Sequence, residues 1–353
     1  MPRRFTAGPS VVTIGPGLLD RARDLLPSRS GRYVLVTSAG PRRAAERLRE
    51  RLSGNILCEV EIDDREESKT LAAVERIADR ALSAGVRRDD ALVAVGGGVV
   101  SDVAGFAAAI LLRGIPWSAV PTTTGAMADA AIGGKTGVDH REGKNLLGSF
   151  HPPAAVVIDP AALEGLPERE YRAGLVEALK AAWIGDAELA LRAEEVLPAV
   201  LARDEESLLE LLGGAAAVKA GIVSADLREG DRRRLLNFGH TLGHAFEAAG
   251  GYRDLRHGEA VAWGVVAAVD LSRARAGLPE ADAARVLRAL ARLGPFPRPS
   301  VNPGLLRPFL ERDKKATARG VAGVLLERIG SARVDEAVPL DSWLDAAARM
   351  SIS

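Results

Sequence analysis

The 353-residue sequence is poor in several residue types, and each scarcity excludes a class of protein. It has a single cysteine, Cys58, so no disulfide can form within the chain, and a reducing compartment fits this composition. The 47 acidic residues balance the 47 lysines and arginines, which excludes a strongly basic nucleic-acid surface or a polybasic membrane patch. No run of about 18 apolar residues occurs, and the basic N-terminus lacks the apolar core of a signal peptide. We therefore expect a cytoplasmic protein that handles small molecules, with no nucleic-acid or membrane partner.

Lysine is also scarce, since only seven of the 47 basic residues are lysine. In a chain that uses arginine as its general surface cation, a retained lysine points to a position that needs a compact ammonium group. Such groups suit phosphates, carboxylates and proton transfer. Codon bias explains any single lysine equally well, so the inference gains weight only where lysines coincide with other motifs.

The first 165 residues alternate strand and helix patterns. Apolar runs at 33–37, 56–62 and 91–95 predict strands, and apolar residues at helical spacing predict helices over 42–52, 68–82 and 99–112. Fully apolar strands that alternate with helices are typical of a parallel sheet covered on both faces. We predict an α/β Rossmann-like N-terminal domain over residues 1–165, which would bind NAD if a dinucleotide site is present.

Residues 166–353 have mainly helical patterns, and most of the predicted helices end at glycine or proline. The predicted helices are 168–184, 187–201, 205–224, 237–249, 257–276, 280–293 and 303–310. A short hairpin is predicted from 323–326 and 332–334. We predict an all-α C-terminal domain that binds metal and substrate, joined to the first domain by a hinge near 160–166.

Three of the five histidines fall between positions 240 and 257. His240 and His244 are four residues apart, so on a helix both imidazoles project from one face, where they can bind one cation. His257 begins the next apolar run and should start a second helix folded back on the first. Polar residues at a helix seam are the alternative for a lone pair of histidines, but a third histidine at a helix start favours a metal site.

Glycines mark candidate sites for anionic ligands. Gly96, Gly97 and Gly98 follow an apolar strand and open a helix, so backbone N–H groups and the helix dipole can face a phosphate, although a plain turn is the alternative. Asp102 follows in the first turns of that helix, where it either stabilises the helix or accepts a hydrogen bond from a ribose or nicotinamide. Lys135 comes directly after a glycine, which opens the space around an ammonium group. The P-loop spacing is absent, so we exclude a nucleoside triphosphatase.

Glu177 and Lys180 are three residues apart on the first helix of the second predicted domain. Such a pair is usually a surface ion pair. Its scarce lysine and apolar neighbours indicate a buried position instead, in which Glu177 would complete a zinc site of two histidines and one carboxylate.

These motifs, in their order along the chain, resemble those of the 3-dehydroquinate synthase family. They are EESK at 66–69, GGGVVSD at 96–102, RG at 113–114, PTT at 121–123, GGKTG at 133–137, GKN at 143–145, LPERE at 166–170, EALK at 177–180, NFGH at 237–240, HGE at 257–259 and DKK at 313–315. The resemblance covers nearly the whole chain. It implies an NAD- and zinc-dependent lyase, with cobalt as an alternative metal, that converts 3-deoxy-D-arabino-heptulosonate 7-phosphate into 3-dehydroquinate in the shikimate pathway.

The resemblance also implies roles for individual residues. The metal ligands would be Glu177, His240 and His257, with His244 beside them in proton transfer and phosphate contact. The NAD-binding residues would be Glu66, Lys69, Gly97, Gly98, Asp102, Thr122, Thr123, Asp129 and Lys144. The substrate-binding residues would be Lys135, Asn145, Lys180, Lys219, Arg233, Asn237 and one of Lys314 and Lys315, with Arg113 offered from the neighbouring subunit of a homodimer.

Three departures from the family pattern lie on the cofactor side. Ser38 follows the first apolar strand where the family usually has an aspartate, Ser101 stands where glycine is usual, and residues 124–128 replace a leucine-rich segment. The related cyclases that make valiolone or inosose precursors share the metal ligands but typically lack the GGKTG motif, which is intact here at 133–137. They remain the first alternative. An NAD-dependent polyol dehydrogenase of the same architecture is the second.

Overall fold

The computed structural model describes residues 2–228, 230–312, 316–317 and 320–350. The chain divides into two compact units. The first comprises the chain up to Tyr171 together with Leu208–Leu227, and the second comprises Arg172–Ser207 together with the chain from Arg228 onward. The membership of Leu208–Leu227 in the first unit was not predicted, and the boundary at 165/166 stays a prediction.

The first unit contains nine strands among its described residues. They are β1 (Arg3–Ala7), β2 (Ser10–Ile14), β3 (Tyr33–Thr37), β4 (Ile56–Glu61), β5 (Ala91–Gly96), β6 (Trp117–Pro121), β7 (Lys135–His140), β8 (Gly143–Phe150) and β9 (Ala155–Ile158). Seven of them form one sheet in the order β1-β2-β9-β6-β5-β3-β4, parallel throughout except between β1 and β2. β7 and β8 form a separate antiparallel hairpin.

The α-helices of the described residues are α1 (Ala22–Leu25), α2 (Arg42–Arg51), α3 (Leu71–Ser83), α4 (Gly98–Ile110), α5 (Glu168–Gly185), α6 (Ala187–Leu201), α7 (Glu205–Ala225), α8 (His240–Ala249), α9 (His257–Ala276), α10 (Glu280–Leu293), α11 (Pro303–Arg312) and α12 (Leu340–Arg349). β3, β5, β6 and β9 are buried at every residue, as central strands covered on both faces should be. The predicted Rossmann-like architecture of the first unit is therefore confirmed.

The second unit is built mainly from helices, and α9 forms its centre. Nearly all of its residues between Gly258 and Ser272 are buried, which is typical of a helix surrounded by others. The predicted hairpin is confirmed and is longer than expected: β11 (Gly320–Arg328) pairs with β12 (Ser331–Val338), and β10 (Ala316–Thr317) adds a third strand. The second unit therefore contains a small sheet beside its helices, which the description as all-α left out.

The predicted helix over 237–249 begins later than expected. Residues Arg232–Asn237 form 3-10 turns, and α8 starts only at His240. The cause is Gly239, whose φ of 79° lies in the left-handed region and interrupts a continuous helix.

One described helix is long and apolar enough to cross a membrane by length and composition, namely α7, and half of its most apolar window is buried. Core helices of soluble proteins pass the same test, so this finding is weak evidence for a membrane span.

Candidate functional site

Three histidines of the second unit lie together because α8 and α9 both begin at an imidazole. His240 is the first residue of α8, His244 follows one turn later, and His257 is the first residue of α9. The ring centroid of His240 lies 5.2 Å from that of His244 and 5.2 Å from that of His257, and the other two rings are 6.0 Å apart. The structure therefore brings together the three side chains that the sequence placed on adjoining helices.

Glu177 reaches the same place from α5. Its Oε1 lies 3.9 Å from Nε2 of His240 and 3.7 Å from Nε2 of His257, and the candidate ligand atoms of the three residues all lie within 4.8 Å of one another. The side chain of Glu177 is only 4% exposed, yet neither carboxylate oxygen has a hydrogen-bond partner. Lys180 is also buried, and its ammonium group forms an ion pair with Oε2. The two groups are not oriented as in a hydrogen bond.

This donor set fits a divalent transition metal. Two imidazole nitrogens and one carboxylate oxygen are ligands that zinc accepts, and a catalytic zinc site uses three protein ligands and keeps one position for substrate. A buried carboxylate without hydrogen bonds is costly unless another group satisfies it. A cation held by Glu177, His240 and His257 would satisfy it.

His240 is prepared for such a role by its surroundings. Burial lowers the pKa of His240 well below its usual value, and the neighbouring charges of Lys180, His257 and His244 lower it further. Its Nδ1 lies 3.1 Å from the carbonyl oxygen of Phe238, which suits an N–H donor at that nitrogen. The imidazole is therefore neutral, and its Nε2 lone pair faces Glu177.

Backbone contact sets the spacing of these ligands. A Cβ atom on Gly258 would lie 1.9 Å from the carbonyl oxygen of Ala173, so the start of α9 touches the backbone of α5. Ala173 stands one turn before Glu177 and Gly258 directly follows His257. Only glycine at position 258 allows His257 and Glu177 to approach as closely as they do.

Glu247, which was not predicted from the sequence, lies in the same group. Its Oε2 is 3.2 Å from Nδ1 of His257, and His244, Glu247 and His257 form a second set of candidate ligand atoms within 4.8 Å. The signal was present in the sequence, because His240, His244 and Glu247 repeat at the four- and three-residue spacing of one helix face.

A separate charged group lies in the first unit around Lys69. Its ammonium is 2.5 Å from Oδ2 of Asp102 and also contacts the side-chain oxygen of Asn145. Lys69 is 3% exposed. Burial alone would lower the pKa of Lys69, but the carboxylates of Asp102, Glu66 and Asp139 raise it above its usual value. Lys69 is therefore a buried, charged ammonium group.

Neighbouring contacts extend this group. Lys144 pairs with Glu66 at 2.9 Å, the backbone N–H of Asn145 donates to Asp139 at 2.8 Å, and that of Asp139 donates to the Lys69 carbonyl at 2.9 Å. Asn145 adopts a positive φ of 54°. The resemblance placed Asn145 among the substrate-binding residues, whereas here it contacts a residue expected on the NAD side. Asp139 was not predicted.

Lys219 shows the same pattern. It lies on α7, is buried, and pairs with Asp129, which the resemblance assigns to NAD. This contact joins α7 to the rest of the first unit, as does the hydrogen bond from the backbone N–H of Gly8 to the hydroxyl of Ser224 at 2.9 Å.

The glycine-rich loop lies between β5 and α4. Gly97 precedes the first residue of α4, and a Cβ on it would lie 3.1 Å from Cγ2 of Thr123. The backbone N–H of Thr122 donates to the carbonyl of Gly96 at 3.0 Å, so the loops after β5 and β6 adjoin at the carboxyl edge of the sheet. Ligands of parallel α/β sheets bind at this edge.

Ser38, the departure after β3, lies beside a carboxylate that follows the neighbouring strand. Its hydroxyl donates to Oδ2 of Asp64 at 2.8 Å, and Asp64 follows β4. A carboxylate is therefore present at this edge, supplied from β4 and not from β3. The other departures are buried in the unit: Ser101 lies within α4, and the Thr124 hydroxyl donates to the carbonyl of Tyr171 at 2.7 Å.

The remaining predicted residues are spread over both units. Arg113 and Lys135 are exposed in the first unit, and Arg113 has a positive φ of 68°. Arg233 and Asn237 lie on the 3-10 turns before α8, with Arg233 buried. Lys314 and Lys315 lie outside the described residues.

Comparison with known proteins agrees with these observations. The family model of the 3-dehydroquinate synthase N-terminal domain matches residues 59–173, and that of the C-terminal domain matches residues 174–316. A 3-dehydroquinate synthase of Solibacter usitatus is 43% identical over 320 residues, which cover 90% of each chain.

Solved structures show the same architecture. The structure of 2-epi-5-epi-valiolone synthase from Streptomyces hygroscopicus, with NAD+ and Zn2+ bound, is 33% identical with a TM-score of 0.86 and covers 96% of this chain and 95% of that one. A 2-deoxy-scyllo-inosose synthase complexed with carbaglucose-6-phosphate, NAD+ and Co2+ is 25% identical with a TM-score of 0.83, covering 98% and 99%. On these matches, and above all on the family models, the chain belongs to the 3-dehydroquinate synthase family.

Proposed function

We propose that this protein is an NAD- and metal-dependent lyase that converts 3-deoxy-D-arabino-heptulosonate 7-phosphate into 3-dehydroquinate and phosphate. The observation that carries the proposal is the convergence of Glu177, His240 and His257 in a chain of this family. Zinc is the proposed metal, with cobalt as the alternative, because relatives of the same fold were solved with Zn2+ or Co2+.

In the second unit, Glu177, His240 and His257 would hold the cation. When bound, it would make nearby substrate hydroxyl groups more acidic. The chain contributes the neutral imidazole of His240, the buried carboxylate of Glu177 and the ammonium of Lys180 next to that carboxylate. His244, which is exposed and whose ring lies 5.2 Å from that of His240, is the residue we assign to proton transfer.

In the first unit, the glycine loop and the charged group around Lys69 would bind NAD. When bound, NAD would accept a hydride from the substrate and return it, so that none is consumed. The chain contributes backbone N–H groups at the start of α4, the side chains of Asp102 and Lys69, and the threonines after β6. The proposed NAD-binding residues are Glu66, Lys69, Gly97, Gly98, Asp102, Thr122, Thr123, Asp129 and Lys144.

The substrate carries a phosphate and a carboxylate, and the scarce lysines supply matching charge. We assign substrate binding to Lys135, Asn145, Lys180, Lys219, Arg233, Asn237 and, from a second subunit, Arg113. Ammonium and guanidinium groups form strong charge-assisted hydrogen bonds with both anions. A homodimer in the cytoplasm, without nucleic-acid or membrane partners, completes the proposal.

The test is direct. Purified protein incubated with the heptulosonate phosphate, catalytic NAD and zinc should release one phosphate per dehydroquinate formed, without accumulating NADH. A folded, metal-loaded preparation that forms no dehydroquinate would refute the proposed function.

A second candidate is cyclisation of another sugar phosphate, such as sedoheptulose 7-phosphate. It is favoured by the 33% identity to the valiolone synthase and by the altered segment at 124–128. Turnover of sedoheptulose 7-phosphate but not of the heptulosonate phosphate would select it. Net formation of NADH from glycerol-like substrates would instead indicate a polyol dehydrogenase, because a cyclase returns the hydride.

A further inference from the structure

Glu247 is a buried carboxylate that the proposed function leaves without a role. It lies on α8 and is 3% exposed. Its Oε2 is 3.2 Å from Nδ1 of His257, while Nε2 of the same ring is 3.7 Å from Oε1 of Glu177. The two nitrogens of one imidazole therefore face two different carboxylates.

When the imidazole of His257 is neutral, this arrangement favours the proton on the nitrogen that faces Glu247. A carboxylate can only accept a hydrogen bond, and a neutral imidazole has one N–H and one lone pair. If Nδ1–H donates to Glu247, the lone pair of His257 lies on Nε2 and points toward Glu177. That tautomer is the one in which His257 can bind a cation together with Glu177 and His240.

His257 also depends on an orienting contact more than His240 does. Its side chain is 45% exposed, whereas that of His240 is 10% exposed and its Nδ1 already lies beside the Phe238 carbonyl. Packing alone leaves an exposed imidazole several rotamers. A hydrogen bond to the buried carboxylate of Glu247 favours one of them.

We propose that Glu247 is a positioning residue, which fixes the tautomer and orientation of His257 for the metal. This inference rests on the proposed metal site but makes a separate claim about Nδ1 of His257. The alternative use of Glu247 is as a ligand itself, with His244 and His257. If His257 takes part through Nδ1, the nitrogen nearest Glu247, that use needs a lone pair there and so requires the opposite tautomer.

The experiment compares the full-length protein with Glu247→Ala and Glu247→Gln. The control is Glu195→Gln, which removes an exposed carboxylate from the same unit, 65% exposed and paired with Arg192. Nitrogen-15 NMR of the histidine rings in metal-free protein reports the tautomer of His257. Competition with a chromophoric chelator measures zinc affinity and stoichiometry.

We expect the wild-type protein and the control to bind one zinc per chain, with the proton of His257 on Nδ1. Glu247→Ala should lose about 10- to 100-fold in zinc affinity and show a mixture of tautomers. Glu247→Gln keeps an oxygen acceptor without the charge, so its zinc affinity should lie between those of the wild type and Glu247→Ala. If the alanine variant does not fold, the comparison of Glu247→Gln with the wild type decides the inference.

Two results would overturn the inference. One is unchanged zinc affinity and an unchanged tautomer in both variants. The other is a wild type that binds two zinc ions per chain, of which Glu247→Ala loses one. If the wild type binds no zinc, the proposed metal site fails, while the tautomer in metal-free protein still decides the role of Glu247.

Discussion

Two charged groups, one in each unit, differ in how their charges are satisfied. Around Lys69, the ammonium contacts the side-chain oxygens of both Asp102 and Asn145. Around Glu177, both carboxylate oxygens are buried without a hydrogen bond. The first group is held together by its own members before any ligand binds, whereas in the second Oε2 of Glu177 is paired with Lys180 and Oε1 keeps acceptor capacity that a cation or a bound substrate can use. Lysine thus pairs with a carboxylate in both groups, and the second group keeps an oxygen for a ligand.

The largest effect should come from removing a proposed metal ligand. His257→Ala should weaken zinc binding by more than about 100-fold. Losing only a residue that hydrogen-bonds to a metal ligand already weakens binding by up to about 100-fold, and losing the ligand itself should weaken it further. Metal content after dialysis and chelator competition measure this loss. His140→Ala, which removes an exposed imidazole from β7, is the matched control and should retain zinc. Stoichiometric zinc in His257→Ala would mean that the Glu177 group does not bind the metal.

The next effect tests whether the Lys69 group is held together internally. Lys69→Met leaves the Asp102 carboxylate without its ammonium partner and should lower the free energy of unfolding by about 3 kcal/mol, as measured with urea. The double variant Lys69→Met/Asp102→Leu should recover part of this loss, since replacing both charges removes the stranded one. A loss below about 1 kcal/mol would indicate that the pair behaves like a surface ion pair.

Acid should destabilise the metal-free protein through His240. Because the pKa of His240 is lowered in the folded state, the unfolded chain binds a proton below about pH 6.5 that the folded chain does not. Stability should therefore fall as pH drops from about 6.5 toward the folded pKa, by up to about 1.4 kcal/mol per pH unit for this group. Unfolding in the presence of a chelator measures the slope. It should be shallower in His240→Asn, and an equal slope in that variant would contradict the assignment.

The smallest effect concerns the carboxylate that Ser38 holds. Asp64→Asn should weaken NAD binding about tenfold, because the carboxylate would accept a hydrogen bond from a ribose hydroxyl of NAD. The ratio of NAD affinity to NADP affinity should also fall, because the carboxylate repels the phosphate that NADP carries on that ribose. Calorimetric titration with each dinucleotide gives both affinities. Asp63→Asn, adjacent and paired with Arg65 at the surface, should bind NAD as the wild type does. Equal NAD affinity in the two variants would remove Asp64 from the coenzyme site.

Segments with a strong apolar pattern could be predicted from the sequence, whereas β1 and β8, which lack such a pattern, could not. The first and last residues of β3, α9 and α10 agree with the prediction, because an apolar run marks β3 and helical spacing of apolar residues marks the two helices. β8 was missed, since Gly143–Phe150 has glycines, polar residues and half-exposed positions in place of a clear alternation. β1 was missed for a similar reason, as an exposed edge strand that begins with two arginines.

The candidate site followed the same rule. The histidines on adjoining helices could be grouped from their spacing, and Glu177 could be added from its scarce lysine partner and apolar neighbours, an assignment that the resemblance also implied. The contact between Lys69 and Asn145 joins residues 76 positions apart through a hairpin that was not predicted. Ser38 was read as the loss of an acid, because the compensating Asp64 follows a different strand and only the parallel pairing of β3 with β4 brings them together.

The contact between Gly258 and Ala173 makes the distance from His257 to Glu177 a property of the main chain. Exchanging the apolar side chains around α9 should change the stability of the unit while leaving the spacing of the proposed metal ligands nearly constant. The core around these ligands can therefore vary without moving them apart. A library built to change metal preference should vary α5 and α9 at this crossing, because a single added methyl group there acts as a spacer between two ligands.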